Sequence, residues 1–471
     1  MNGVEVHKDC TADISGGNLD LTSAVGIAGI GNNGELTIGG NAKVTLTESV
    51  WSNSQLTVKD NAEISVVHEK DADMYAWDIL PDTRFDFQSG TITAVNSEFV
   101  IDGEMNIGKD ASLILTDSDF RADGQVNLNG GQMKMIQDAD QMRIFLGMET
   151  DEWGNTFHKF AHQSELQVTG ALNLNSGKLE LKNTEINVYG GAINQNNADV
   201  VINNQTEDIA LRRENASDYD DWMVACNLDR DAILNINGGT FTMNGINLNV
   251  GLQSEGTINI SGGVLTMDVP AGIPVSTSGV TAVSGGTVTL KGDVGYQHWY
   301  NEGNPEYDIA PSDHGKLTVT GGTMNISGIS GGIDVSNNMV VTGGEIHIDV
   351  AGRKENYTNE DGVPVKALVC TGLAAYNSVK PISVSINGGI VDIQTPVEMQ
   401  GYDEASIFGL AAFDNGTVRI NGGDVQVQSR VALYAESQQN SKHIVINKRL
   451  QVLSLDTGNT LDLTSGVVEF T

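Results

Sequence analysis

A ten-residue pattern centred on Gly-Gly recurs along the chain. Residues 234–243 read LNINGGTFTM, and residues 258–267 read INISGGVLTM. Each copy has four apolar positions, two before the glycines and two after them, with one residue between the members of each pair. This alternation is typical of β-strands with one buried face. Roughly 16–17 copies can be aligned, so the pattern governs most of the chain.

The spacing of the copies predicts the architecture. Copies without added sequence lie about 20–24 residues apart, which is too short for a four-stranded propeller blade. This spacing fits one coil of a parallel β-helix, with two strands flanking Gly-Gly and a third strand, such as residues 246–250, before the next copy. We therefore predict an all-β, right-handed parallel β-helix of roughly 16–17 coils, with residues 1–471 as a single domain.

The Gly-Gly pair itself has two interpretations. In a β-helix it forms a corner, where the backbone needs a positive φ or a close approach between coils. Asn-Gly between two alternating runs is also the strongest short-range signal for a β-hairpin, so a meander of hairpins is the alternative. The corner explains better why distant copies keep the same phase.

Six intervals between copies are longer than a plain coil needs, and each follows the second strand of a Gly-Gly pair. We therefore predict that they are insertions projecting from one side of the β-helix. The intervals are 67–84, 136–165, 194–232, 291–316, 349–383 and 394–417.

These intervals hold four of the five tryptophans and eight of the ten tyrosines. Flat aromatic rings beside carboxylates and amides suit sugar recognition, because the apolar face of a sugar stacks on a ring. The alternative is that narrow coil interiors prefer aliphatic residues and leave the aromatic ones to small cores inside the insertions. The candidate glycan-binding residues are Tyr75, Trp77, Trp153, Tyr219, Trp222, Tyr296, Trp299 and Tyr300.

The chain is strongly acidic, with a formal net charge of −35. Such a surface repels phosphate backbones and anionic lipids, so we expect no nucleic-acid partner. No run of 18 apolar residues occurs, so we expect no direct membrane insertion. Within the acidic segment 217–231, Asp218, Asp220 and Asp221 suit Ca²⁺, and a solvated acidic loop is the alternative. No other cofactor is indicated.

The sequence offers no convincing catalytic constellation. A glycoside hydrolase on this fold needs two carboxylates facing each other across a sugar, whereas Asp220 and Asp221 are adjacent. A polysaccharide lyase would pair Ca²⁺ with a basic residue. Arg212 and Arg213 lie near the acidic segment, and local salt bridges to it explain them better. We therefore predict a non-catalytic protein, with a lyase or hydrolase as the alternative.

Residues 317–352, LTVTGGTMNISGISGGIDVSNNMVVTGGEIHIDVAG, resemble repeats of secreted bacterial β-helix proteins. Those repeats include carbohydrate-binding types and adhesins of the autotransporter-passenger type. The resemblance implies an extracellular or cell-surface location, and a glycan or a ligand on a host or neighbouring cell as the partner. It brings no catalytic residues. The combined expectation is a surface adhesin or glycan-binding protein, with a structural assembly component, such as a tailspike or surface-layer protein, as a further alternative.

Overall fold

The computed structural model describes most of the chain. The described residues are 3–22, 29–47, 49–68, 75–137, 145–150, 156–160, 164–204, 224–246, 248–299, 316–360, 362–398, 401–436, 444–446, 450–452, 460–465 and 468–470. They form two compact units, Met1–Asn247 and Leu248–Thr471. No helix in the described part of the chain is long and apolar enough to span a bilayer.

The first unit is built from short strands. They are β1 (Val4–Val6), β2 (Thr11–Ile14), β3 (Asn18–Leu21), β4 (Ile30–Asn32), β5 (Glu35–Ile38), β6 (Lys43–Leu46), β7 (Val50–Ser52), β8 (Leu56–Val58), β9 (Glu63–Val67), β10 (Tyr75–Ile79), β11 (Arg84–Val95), β12 (Glu98–Ile101), β13 (Glu104–Thr116), β14 (Asp119–Ala122), β15 (Gln125–Ile136), β16 (Phe145–Thr150), β17 (Thr156–Phe160), β18 (Glu165–Val168), β19 (Ala171–Lys182), β20 (Glu185–Val188), β21 (Ala192–Gln195), β22 (Asp199–Asn204), β23 (Val224–Leu228), β24 (Ile233–Ile236) and β25 (Thr240–Gly245).

The second unit continues the same strand types. Its strands are β26 (Val250–Ser254), β27 (Thr257–Ile260), β28 (Val264–Val269), β29 (Ile273–Thr277), β30 (Val280–Val283), β31 (Thr287–Gly292), β32 (Val294–His298), β33 (Lys316–Val319), β34 (Thr323–Gly328), β35 (Gly331–Val335), β36 (Asn338–Val341), β37 (Glu345–Val350), β38 (Arg353–Thr358), β39 (Pro364–Ile386), β40 (Ile390–Gln394), β41 (Glu404–Ile420), β42 (Asp424–Gln428), β43 (Val431–Glu436), β44 (Ile444–Ile446), β45 (Leu450–Val452), β46 (Thr460–Ser465) and β47 (Val468–Phe470).

Within each unit the strands pair in parallel with their counterparts one coil along, which confirms the parallel β-helix. Three columns of strands result. In the first unit the columns start β1-β4-β7, β2-β5-β8 and β3-β6-β9, and in the second they start β26-β29-β32, β27-β30-β33 and β28-β31-β34. Two pairs among the described residues are antiparallel, β16 with β17 and β38 with β39. The third strand of the coil begins at Val250 rather than at residue 246 as predicted.

The Gly-Gly pairs are the corners between the second and third columns, as predicted. The second glycine has a positive φ, for example 74° at Gly286. A Cβ atom added to Gly286 would lie 2.6 Å from the carbonyl oxygen of Gly262 in the preceding coil. Both a left-handed backbone and a close approach between coils therefore require glycine there.

Five of the six predicted insertions contain strands of the regular coil. For example, β10 lies within 67–84 and pairs in parallel with β7 and β12, while β32 lies within 291–316 and pairs with β29 and β35. The longest described part of an insertion is the β38–β39 hairpin, which extends the coil with antiparallel pairing. Counting insertions from the Gly-Gly spacing alone therefore assigned too many residues to them.

Amide side chains connect successive coils on the outer face of the first unit. The Nδ2 atoms of Asn127, Asn173, Asn194 and Asn235 each donate to the Oδ1 atom of the asparagine one coil before, over 2.8–2.9 Å. All the donors point the same way along the column, so the bonds polarise one another. The frequent asparagine of the repeat is thereby explained as a stabilising feature of the scaffold.

Candidate functional site

A cleft of about 430 Å³ lies in the second unit, beside strands β32, β35, β39 and β41. Its volume falls in the range of roughly 300–1,000 Å³ that is usual for small-molecule sites. The lining combines aromatic rings with amides, hydroxyls and one carboxylate. The lining residues are Gln297, His298, Trp299, Asp334, Val335, Ser336, Thr371, Ala374, Tyr376, Asn377, Ser378 and Phe413.

Successive coils place one side chain each along the rim of the cleft. His298, Val335 and Ala375 share a register position, and the residues that follow them are Trp299, Ser336 and Tyr376. Phe413 pairs with Tyr376 one coil further along. We call Trp299, Ser336, Tyr376 and Phe413 the rim row.

The small side chain of Ser336 opens a slot in the rim row. Neighbouring strands lie about 4.8 Å apart, so the backbones carrying Trp299 and Tyr376 are roughly 10 Å apart, with only a hydroxymethyl group between them. Trp299 is half-buried and the side chain of Tyr376 is 47% exposed. Two ring-bearing residues therefore flank an opening wide enough for a planar or cyclic ligand.

The floor of the cleft comes from the same three strands, two residues earlier. Gln297, Asp334 and Ala374 stack in register across β32, β35 and β39. Ser276 donates to Gln297 Oε1 over 3.4 Å, from one coil before. Since Ala374 carries only a methyl group, the floor is lowest there and most polar at Asp334.

Asp334 carries the one carboxylate among the described residues that line the cleft. Burial raises the pKa of its carboxyl group to about 6, and the nearby negative charge of Asp293 adds to the rise. Asp293 itself forms an ion pair with Arg353. Among the described residues none donates a hydrogen bond to the Asp334 carboxylate, so its acceptor positions are open to a ligand.

His298 lies beneath Trp299 and is buried, with a relative exposure of 2%. Its Nε2 atom lies 3.4 Å from the Gly279 carbonyl oxygen, while Nδ1 has no partner within the described part of the chain. Burial lowers the pKa of His298 to about 4, so the imidazole is neutral at physiological pH.

Hydrogen bonds to the backbone hold the rim in place. Asn377 Nδ2 donates to the Ser336 carbonyl over 2.8 Å, and Asn377 Oδ1 accepts from the Lys380 amide over 2.8 Å. Ser336 Oγ donates to the His298 carbonyl over 2.6 Å. The backbone around Tyr376 is thus fixed before any ligand arrives, which lowers the entropic cost of binding.

More aromatic rings adjoin the Phe413 end of the cleft. The rings of Phe408 and Tyr434 stack with centroids 4.1 Å apart, and Phe413 lies 5.5 Å from Tyr434. All three side chains are half-buried. They continue the aromatic surface beyond the rim row.

The structure corrects two of the predicted glycan-binding residues. Trp77 is fully buried and stacks between Phe85 and Phe99, with centroids 5.3 and 5.5 Å away. Tyr296 has a relative exposure of 1%, and its hydroxyl donates to Thr281 Oγ1 over 3.1 Å. Both residues occupy inward positions of regular coil strands, so neither ring can meet a sugar.

Two of the remaining candidate residues lie in the described part of the chain, and seven lie outside it. Trp299 lines the cleft, and Tyr75 begins β10, where it pairs with Glu98. Outside the described residues lie Trp153, Tyr219, Trp222, Tyr300, Asp218, Asp220 and Asp221. The described residues contain no group of three or more His, Cys, Asp or Glu side chains that could hold a metal ion.

The candidate residues predicted from the sequence do not include Asp334, Tyr376 and Phe413, which line the cleft. Tyr376 lies within the predicted insertion 349–383. In the sequence, Asp334 cannot be distinguished from other outward-facing strand residues. Its position beside Ala374 follows only from the pairing of β35 with β39. The signal that would have found all three is their alignment with Trp299 in successive coils.

Comparison with known proteins adds a family. No curated protein and no solved structure matches the chain. One family model, described as carbohydrate-binding domain-containing protein, matches residues 175–448, which is more than half of the chain and includes every residue that lines the cleft. The chain therefore belongs to the family of carbohydrate-binding domain-containing proteins.

Proposed function

We propose that the chain binds a glycan in the cleft of the second unit, without chemical change to it. The observation that carries this proposal is the rim row, in which Trp299 and Tyr376 flank the small Ser336. A pyranose ring has an apolar face of C–H groups that stacks on aromatic rings, and a periphery of hydroxyls. The rim offers the rings and the floor offers the polar partners.

The floor suits hydroxyl groups. Asp334 accepts hydrogen bonds through its carboxylate, and the amide nitrogen of Gln297 donates. Among the described residues, the lining of the cleft contains one carboxylate, whereas glycoside hydrolysis uses two that face each other across the sugar. We therefore propose recognition rather than hydrolysis as the role of this cleft.

We further propose that the protein acts in the extracellular space or at the cell surface, as an adhesin or glycan receptor. The repeat pattern resembles secreted bacterial β-helix proteins, and the net charge of −35 suits a protein that must stay soluble among other surfaces. Labelling of intact cells with a membrane-impermeant antibody tests this location. Signal only after permeabilisation would contradict it.

The binding proposal predicts that truncating a ring of the rim row weakens glycan binding. Trp299→Ala and Tyr376→Ala should each lower affinity about tenfold, because each removes one stacking surface. Binding is measured on an array of oligosaccharides and then by calorimetry with the oligosaccharides that bind. The matched control is Trp51→Ala, which removes a half-exposed tryptophan of the first unit.

Two results would contradict the proposal. One is that the full chain binds none of the oligosaccharides. The other is that Trp299→Ala and Tyr376→Ala bind as the control does. Release of shortened products from a bound polysaccharide would instead indicate a hydrolase or lyase.

A further inference from the structure

We infer that the Asp334 carboxylate makes the cleft selective for uncharged sugars over sugars that carry a carboxylate. This inference rests on the proposed glycan binding and adds to it the chemical class of the ligand. It stands on the position of Asp334 in the floor between Gln297 and Ala374, directly beside the slot of the rim row.

The carboxylate is placed to receive hydroxyl donors. The protein around it supplies no hydrogen-bond donor among the described residues, and part of its hydration has been lost to burial. Hydrogen bonds from sugar hydroxyls to an ionised carboxylate are charge-assisted and restore what burial removed. A neutral sugar therefore gains most from this floor.

A sugar that carries a carboxylate is repelled by the same floor. Its carboxylate would approach an ionised Asp334 in a cleft walled by protein, where like charges are weakly screened. Asp293 adds a second negative charge nearby, although Arg353 neutralises it through the ion pair. Because Arg353 is paired with Asp293, it does not neutralise Asp334, and the Asp334 carboxylate leaves the floor negatively charged.

Among the groups around the cleft, Asp334 is the one whose carboxyl group changes protonation between neutral and mildly acidic pH. Burial raises the pKa of Asp334 to about 6, whereas burial keeps the pKa of His298 in β32 at about 4. The charged or titratable groups that adjoin these two residues are Asp293 before β32, Arg353 in β38, and Tyr376 and Lys380 in β39, and the same strands also carry Tyr296, Lys354, Glu355, Tyr357, Lys366 and Cys370. Acidification to about pH 5 therefore neutralises the Asp334 carboxylate, while simple sugar carboxylates, which titrate near about 4 or below, stay ionised.

The test compares neutral hexose oligosaccharides with uronic-acid oligosaccharides of the same linkages, using the full chain and calorimetry. At about pH 7.5 the neutral member of a pair should bind at least about tenfold more tightly than its uronate counterpart. This ratio should fall severalfold at about pH 5. Asp334→Asn should bring the ratio close to one at both pH values and remove its pH dependence.

The control separates the cleft from the overall charge of the protein. Asp424→Asn makes the same charge change at an exposed position of β42 and should leave the ratio as in the wild type. Asparagine is nearly isosteric with aspartate, and a melting curve verifies that both variants are folded.

Each outcome decides between the two proposals. If both classes of sugar bind and lose affinity in Trp299→Ala, but uronates bind as tightly as neutral sugars, the selectivity inference is overturned and the binding function stands. An equal effect of Asp334→Asn and Asp424→Asn also overturns it. If no oligosaccharide binds, the binding function fails and the inference fails with it.

Discussion

Asp334 and His298 both line the cleft; Asp334 is half-buried and His298 is buried. Burial raises the pKa of Asp334 and lowers the pKa of His298. The folded state binds more protons than the unfolded state at Asp334 between about pH 4 and pH 6, because the pKa is raised. At His298 it binds fewer protons between about pH 4 and pH 6.5, because the pKa is lowered. Stability therefore falls with rising pH through Asp334 and rises with pH through His298.

These opposing contributions predict the pH profiles of two variants. In the wild type they largely cancel between about pH 4 and pH 6. Asp334→Asn should be more stable than the wild type by about 1–3 kcal/mol above pH 6.5, and this difference should vanish towards pH 4, where the wild-type Asp334 carboxyl group is protonated in both the folded and the unfolded state. His298→Thr, which copies Thr277 from the preceding coil, should show the reverse slope.

Urea denaturation at a series of pH values measures both profiles. Asp424→Asn serves as the control, since its carboxylate is exposed and its profile should parallel the wild type. Parallel profiles for Asp334→Asn and the wild type would contradict the prediction. A carboxylate that costs stability and yet lines the cleft would be a typical trade of stability for binding.

At the scale of strands, the asparagine column of the first unit is the element that most directly connects coils through side chains. Asn173 donates to Asn127 and accepts from Asn194, over 2.8 Å in both bonds. Asn173 is half-buried. Its loss would leave the Nδ2 atom of Asn194 without its acceptor and the Oδ1 atom of Asn127 with one donor, Gln125, instead of two.

We therefore predict that Asn173→Ala lowers the free energy of unfolding by about 1–3 kcal/mol. The matched control is Asn175→Ala, which interrupts a parallel column made by Asn129, Asn175 and Asn196 at an exposed position and should cost less, about 0.5–1 kcal/mol. Hydrogen exchange of the amides in β19 and β21 measures where protection is lost. Equal losses for the two variants would mean that burial of the column does not matter.

The strands also show how much of the structure the sequence could predict. The period-2 apolar pairs and the Gly-Gly corners are local signals, so the parallel coil follows from them directly. The site depends on the register of the first column, which has no Gly-Gly marker. Trp77 and Trp299 both fall in long intervals, yet Trp77 lies at an inward position of β10 while Trp299 follows the inward His298 of β32. One residue of register separates a ring in the core from a ring that lines the cleft.

At the scale of the whole molecule, the net charge of −35 is the dominant long-range term. Like charges repel one another across the surface, and this repulsion disfavours the compact state. Few cations are available to offset it, since the chain has 26 lysines and arginines against 61 acidic residues.

Screening should therefore stabilise the protein. Raising NaCl from about 20 mM to about 200 mM shortens the Debye length from roughly 20 Å to roughly 7 Å, and we expect the Tm to rise by a few degrees. Scanning calorimetry measures the change, and sucrose at matched osmolality is the control for non-ionic effects. An unchanged or lower Tm at higher salt would show that repulsion among the acidic residues is not limiting.

The arrangement of the rim row has a consequence for the evolution of the cleft. Because each coil supplies one rim residue, duplication or loss of a coil would lengthen or shorten the cleft by about 4.8 Å without redesign of the rest. A single substitution at the Ser336 position would close one compartment or open another. If the cleft binds a glycan as proposed, the length of the bound segment should therefore change in steps of one coil.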